Sequence, residues 1–503
     1  MTKRPAKVPI FRFRRRREAR EAELVTLTVT QEADVSYLPP EDANGDPAPV
    51  EAGSLVWQTS DPAVAIVEEV TEDPILGTIV ACGVGACEVW PEMDADLGAD
   101  AVETITGDTV SVQVVSGGAV TIGEATVGEP REQDESGTPP AGGTLVQPED
   151  LLYLGAFKVP IQLGYAGVGL TYSAADHSLY CAESSGQLVG QISIPEPVNS
   201  ANLHDLPEAM ILHGLVDACC GRLAQIGQET GTAPIVGGLL IWEGRLIVAA
   251  YGNYDANATG VLSHITASPT LAAPTAQGPY QVGGYGAGCI GGALGVVPDA
   301  WRTALGGPVL AGLCGISIVS RTSMGPTAFA LDPAQIGVHE PFALTRPLVY
   351  YPNTQGPLYD YEHPDANIPL FNRCSRARGV VVCPGGSRSV LFFGDTGLGP
   401  NCYGTGAECG DTAELAKGDH APPYVPYVWA YDANELAAVN AGTTAHDALV
   451  PYRYWELACP IGPWGRTTFL GGAYDPATGR IYVAQTRAGG DASVIHVYTI
   501  ASA

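Results

Sequence analysis

The sequence predicts an all-β chain: an Ig-like β-sandwich followed by a C-terminal β-propeller of about six blades, with a basic arm ahead of both. Three observations predict it. The chain is rich in turn formers and poor in charge, with 62 Gly and 40 Pro among 503 residues and only 16% charged side chains. Apolar residues alternate with polar ones in short runs, at the period of a strand and not of a helix. A strand–turn–strand unit recurs through the last 353 residues, the pattern of radially repeated sheets.

The first element is the arm, residues 1–23. Nine of the 25 Lys and Arg residues fall in the first twenty positions, although the whole chain carries a net charge of −29. Like charge at that density repels itself and stays solvated until it meets a complementary surface. Arg12, Arg14, Arg15, Arg16 and Arg17 supply the charge, and Ile10, Phe11 and Phe13 the apolar contacts, for anchoring on an acidic protein surface. The acidic remainder excludes a role in coating nucleic acid, which leaves the arm as the only segment suited to it. No apolar run of export-signal length follows the bases and none reaches ~18 residues, so the expectation is a chain without a Sec-type leader or a membrane span.

The second element, 24–117, is a run of short strands. LVTLTVTQEADVSY and SVQVVSG alternate at its two ends, around SLVWQTSDPAVAIVEEV and GTIVACGVGACEVWPEM. Trp57, Thr59, Ser60, Asp61, Pro62, Val64, Ala65 and Val67, followed by Gly77, Val80, Gly83 and Gly85, resemble the bacterial Ig-like group 2 domain. The resemblance implies a spacer or adhesive module without chemistry of its own. Cys82 and Cys87 at the glycine turn depart from that pattern. Residues 118–150 lose periodicity, gain Gly, Pro, Glu and Ser, and read as a linker.

The third element is 151–503. Gly169 to Tyr180 overlays Gly471 to Tyr482 with glycine and two tyrosines in register, and each is followed by a third alternating run. Looser copies are 237–252, 315–333, 379–395 and 426–436. The lone strand LLYLGAFKVP (151–160) precedes the first copy, and the last copy shows three strands, so the first segment is expected to complete the last blade and close the ring. Leu152 to Phe157, Gly237 to Leu240, Tyr251 to Asp255, Ser320 to Ser323 with Gly325 and Pro326, Cys402 to Cys409, Lys417 to Ala421 and Trp429 to Asp432 resemble an uncharacterised β-propeller-like family of bacterial and phage type. That family implies no settled activity.

Twelve cysteines show no zinc-ligand spacing. Cys402 with Cys409, and Cys82 with Cys87, each flank a glycine-rich turn and are the disulfide candidates. Neither GxSxG, HExxH, a P-loop nor a dinucleotide fingerprint occurs, so no catalytic residue and no cofactor is assigned. Tyr251, Tyr254 and Asp255 after one strand pair, and Tyr359 and Tyr361 in YDYEH, are the candidate glycan contacts, because sugar C–H faces stack on aromatic rings while hydroxyls bond to carboxylates and amides. Asp395, Tyr403, Glu408, Asp411, Asp419 and His420 gather around the Cys402–Cys409 loop. Their carboxylates Asp395, Asp411 and Asp419 are weak candidates for Ca²⁺, since no EF-hand spacing is present.

Outward-facing modules without an export leader, behind a cationic arm, suit a particle assembled in the cytosol and released by lysis. The expectation is a non-enzymatic phage virion protein, a capsid decoration, spike or fibre, held as a homo-oligomer on other virion proteins through residues 1–23 and adhering to glycans. The alternatives are a propeller glycoside hydrolase or lyase, which needs paired carboxylates ~5–9.5 Å apart, and a bacterial surface adhesin in an extracellular setting.

Overall fold

The computed structural model describes the strands within residues 10–132, chiefly by their backbone, and the chain from 143 onward apart from short stretches, the longest being 314–322, 361–369 and 463–468. Two compact units result, Met1–Glu135 and Ser136–Ala503.

The first unit is made of two five-stranded sheets. One joins Gln31–Tyr37, Leu76–Ala81 and Ala65–Glu69; the other joins Glu23–Thr28, Val110–Val115, Gly85–Asp96 and Val56–Thr59, with Val102–Thr106 on its long strand. Glu23–Thr28 runs parallel to Val110–Val115, and the remaining pairs in this second sheet are antiparallel. The strands Glu23–Thr28, Gln31–Tyr37, Val56–Thr59, Ala65–Glu69, Leu76–Ala81, Gly85–Asp96 and Val110–Val115 overlap the alternating runs, while Val102–Thr106 lies in none of them. Two short pairings were not expected. Ile10 and Phe11, read as part of an unpaired arm, run parallel to Ser36 and Tyr37, and Arg131–Glu132, read as linker, pairs with Gln31 and Glu32. Arg12, Phe13 and Arg14 to Arg17 lie outside the described residues, as does Cys82 and with it the Cys82–Cys87 pairing.

The second unit is a β-propeller of five four-stranded antiparallel blades, one fewer than the repeats suggest. The innermost strands are Leu170–Ser173, Pro234–Trp242, Leu294–Val296, Arg376–Val382 and Phe469–Asp475, and each contacts the next around the axis, the last returning to the first. The miscount has a local cause. Residues 379–395 and 426–436, read as separate repeats, are the inner strands and the third strand of a single blade, the fourth, split by the 398–423 insertion.

Why the strands are apolar along their whole length follows from this geometry. Side chains alternate between the two faces of a strand, and a blade has a neighbour on each face. In blade two, Leu239, Leu246, Val248 and Ala250 pack towards blade one, while Leu240, Trp242, Ile247 and Ala249 pack towards blade three. Three further cores of the same kind lie between blades three and four, four and five, and five and one.

Closure comes from the segment the sequence singles out. Leu151–Val159 pairs antiparallel with Ala492–Ile500 as the outermost strand of blade five. Its two faces enter different cores, Phe157 and Val159 in one and Leu151 in the other. Just before it, Thr144 and Val146 are tied to blade four: the Arg388 amide donates to the Thr144 carbonyl at 3.1 Å, and the Val146 amide to Ser389 Oγ at 2.9 Å.

The inner strands approach closely enough to require glycine. A Cβ on Gly238 would strike the Gly292 carbonyl oxygen of blade three, and one on Gly379 would stand 2.6 Å from the Gly472 amide nitrogen. Gly238→Ala is therefore expected to cost about 1–3 kcal/mol, read as a lower urea midpoint. Gly214→Ala, where nothing lies within 4 Å, should stay within about 0.5 kcal/mol of the wild type.

Candidate binding face

In a four-stranded antiparallel blade, the turn from second to third strand and the crossover to the next blade emerge on one side. The described candidate site residues of the propeller sit on that side. Tyr251 ends the strand Arg245–Gly252, with Tyr254 and Asp255 just beyond it. Tyr359 lies in a short strand paired with Gln355–Gly356 in the crossover from blade three to blade four, and Tyr361 lies outside the described residues. Asp395 closes on the end of Ser389–Gly397, and Asp411 and Asp419 belong to the insertion that follows. The chain enters the propeller on the opposite side, along Arg388 and Ser389.

The insertion of blade four is the most heavily braced part of this face. Cys402 and Cys409 form a disulfide across Cα atoms 5.6 Å apart, as their spacing suggests. Cys402–Gly404 pairs with Gly418–His420. Between them the short helix Gly406–Cys409 carries a capping box: Glu408 Oε2 accepts from the Thr405 amide at 2.6 Å, and Thr405 Oγ1 accepts from the Glu408 amide at 3.4 Å. The Thr405 amide and hydroxyl, donating to Glu408, hold its carboxyl below the usual carboxylate range.

Beneath the loop, polar groups are buried and paired. Asp411 Oδ2 lies 2.8 Å from His420 Nδ1 and accepts from the Tyr424 hydroxyl at 2.7 Å, and Asp411 Oδ1 accepts from the Glu414 amide at 3.1 Å. His420 Nε2 faces the carbonyl oxygens of Gly404 at 3.1 Å and Ala416 at 3.0 Å. Burial raises the Tyr424 hydroxyl above its ordinary range, so it remains a donor. Arg373 Nε pairs with Asp419 Oδ1 at 2.9 Å. Asn372 Nδ2 donates to the Gly397 carbonyl at 2.7 Å, and Ser375 and Thr396 share a hydroxyl contact at 2.7 Å, which locks the crossover onto the strand.

The calcium reading of Asp395, Asp411 and Asp419 is corrected by these contacts. The three carboxylates face different donors: His420 and Tyr424 for Asp411, Arg373 for Asp419, and the Phe469 amide for Asp395 at 3.4 Å. Among the described residues no three His, Cys, Asp or Glu side chains are placed to share a metal ion.

The blade-two candidates also separate. Tyr251 is 6% exposed and packs with Ile235 and Ala287, so its ring offers no stacking surface. Asp255 turns inward on its own loop, where Oδ1 accepts from the Thr259 amide at 3.1 Å and Oδ2 from the Gly260 amide at 2.7 Å. Tyr254 alone stays outside, 59% exposed. The exposed large apolar side chains of this face are Ile161, Tyr254, Leu398, Tyr403 and Leu415. Tyr403, which the sequence reading groups with oxygen ligands, instead presents its ring, 65% exposed, beside Lys417.

No family model matches this chain, and no curated protein does. Among solved structures it is similar to a luciferin-regenerating enzyme, at 8% identity and a TM-score of 0.30 over 69% of this chain and 94% of that one. It is likewise similar to an auxiliary nutrient binding protein from Bacteroides thetaiotaomicron VPI-5482, at 7% identity and a TM-score of 0.29 over 95% of this chain and 98% of that one. Likenesses this distant carry no activity over.

Two histidines are fully buried and uncharged. His264 and His496 are both held down at about 3 by loss of hydration. His496 Nε2 lies 2.6 Å from Gln485 Oε1, and Nδ1 3.2 Å from the Tyr153 hydroxyl. Cys459 Sγ sits 3.4 Å from Nε2 and 3.8 Å from Nδ1. The unfolded chain takes up protons on these histidines below ~6.5 while the folded one does so only near 3, so their stabilisation is complete above ~6.5 and is lost as pH falls through that window. Each should add up to about 1.4 kcal/mol per pH unit to the acid slope of unfolding free energy. Replacing His264 and His496 by Asn should flatten that slope in urea titrations between about pH 6 and about pH 4.

Proposed function

We propose that the protein is a non-catalytic adhesion component in which the braced face of the five-bladed propeller binds glycans. The observation that carries this reading is the pairing of exposed aromatic rings with rigid loops: Tyr403 projects from a loop fixed by a disulfide, a capping box and the buried His420–Asp411–Tyr424 cluster. Exposed rings held in place lose little side-chain freedom on binding, and a sugar face is a fitting partner for them. The carboxylates gathered on the blade-four insertion, Asp395, Asp411 and Asp419, are engaged in holding the loops.

The tether in this proposal is the N-terminal segment. Its nine bases within twenty residues, on a chain of net charge −29, support docking on an acidic protein surface of a larger particle, such as the capsid or tail of a phage virion, with the Ig-like reading of 24–117 as a spacer. Two measurements test the two halves. Full-length protein should co-sediment with the particle in a density gradient and lose that association on deletion of residues 1–23; equal co-sedimentation of the deleted chain would refute the tether. On a glycan array Tyr254→Ala and Tyr403→Ala should each weaken binding several-fold, and retention of full binding by the double variant would refute this face as the adhesive one.

A further inference from the structure

The chain has four lysines, Lys3, Lys7, Lys158 and Lys417, and two of them belong to the arm. Lys158 is half-buried in the closing strand, which leaves Lys417 as the exposed lysine of the propeller. Its Nζ stands 5.8 Å from the centre of the Tyr403 ring, within cation–π range. Acidic residues outnumber bases by 54 to 25 over the chain, yet among the described residues Lys417 forms no ion pair. The nearby Glu408 carboxylate is turned to the Thr405 amide and hydroxyl, at 2.6 and 2.9 Å.

An exposed ring therefore carries over one of its faces an ammonium that forms no ion pair among the described residues. Both are carried by the same two-stranded ribbon, in which Tyr403 pairs with Asp419 and Gly404 with Gly418. The disulfide ties Cys402 of the ribbon to Cys409 at the end of the short helix between its strands, and the Arg373–Asp419 ion pair anchors the second strand. A rigid support fixes the spacing between ring and charge before any ligand arrives, so little ordering remains for binding to oppose.

Resting on the glycan-binding reading above, we infer that Tyr403 and Lys417 form a subsite for an acidic sugar: the ring stacks on a pyranose face and the ammonium meets its carboxylate or sulfate. A neutral sugar would use the ring alone. Asp419 pairs with Arg373, and Glu408, whose carboxyl the Lys417 charge also helps to hold down, is oriented by its own cap. Uronates, sialylated glycans and sulfated glycans share the chemistry required, and they differ in the reach between ring face and anion.

The test uses the full chain on an array carrying oligouronates, the methyl ester of each oligouronate, and sialylated and sulfated glycans, at low ionic strength. At least one acidic glycan should bind about fivefold more tightly than neutral counterparts, as an exposed charge pair allows. Lys417→Gln should reduce that glycan to the level of the neutral ones and leave the neutral ones unchanged. Tyr403→Ala should weaken both about tenfold, while Tyr403→Trp retains binding, with the disulfide verified by intact mass in every variant. Acidic glycans bound no better than the esters, or a Lys417→Gln variant indistinguishable from wild type, would overturn this inference and leave the adhesion reading standing. Failure to retain any glycan of either class would overturn both.

Discussion

The structure depends on closing a ring. A propeller blade buries both of its faces only while it has a neighbour on each side, and the five cores between blades form a circle with no natural end. The pairing of Leu151–Val159 with Ala492–Ile500 supplies the end. It satisfies the open edge of blade five and places Phe157 and Leu151 into two different cores, so that chain segments more than three hundred residues apart complete the same sheet. Without that strand the cores on the two sides of blade five would each lose part of a wall.

The loops of the candidate face draw their order from this scaffold and from polar contacts beneath them. Blade four concentrates those contacts. Asp411, Asp419, His420, Asn372 and Ser375 are buried, and a buried polar group without a partner is costly, so their mutual pairing fixes the insertion in one arrangement. The same economy explains why these residues make poor ligands: their donors and acceptors are already engaged. What remains for a partner is on the outside, in the rings of Tyr254 and Tyr403, the methyl groups of Leu398 and Leu415, and the charge of Lys417.

Much of the fold was legible in the sequence because strand periodicity is local. The overlay of 169–180 on 471–482 found the inner hairpins of blades one and five, and the isolated alternation of 151–160 found the closing strand. Blade number was not legible. Inner strands begin at Leu170, Pro234, Leu294, Arg376 and Phe469, roughly 60 to 90 residues apart, and an insertion such as 398–423 makes one blade read as two. The site was legible only in outline. Spacing found the Cys402–Cys409 bridge, and composition found the loops, but side-chain direction decides function there: Tyr251 turns into the core, Tyr254 out of it, and Asp255 back onto Thr259 and Gly260. The nearness of Lys417 to Tyr403, fourteen positions away, needs the ribbon between them, and no pattern in the residues announces it.

The point where the chain enters the propeller has a mechanical meaning. Residues 144–146 are clamped to Arg388 and Ser389 before the chain continues directly into Leu151–Val159. Tension drawn through the N-terminal side meets this clamp before it reaches the Leu151–Val159 strand that closes the ring, so the closing strand is shielded by two hydrogen bonds to blade four.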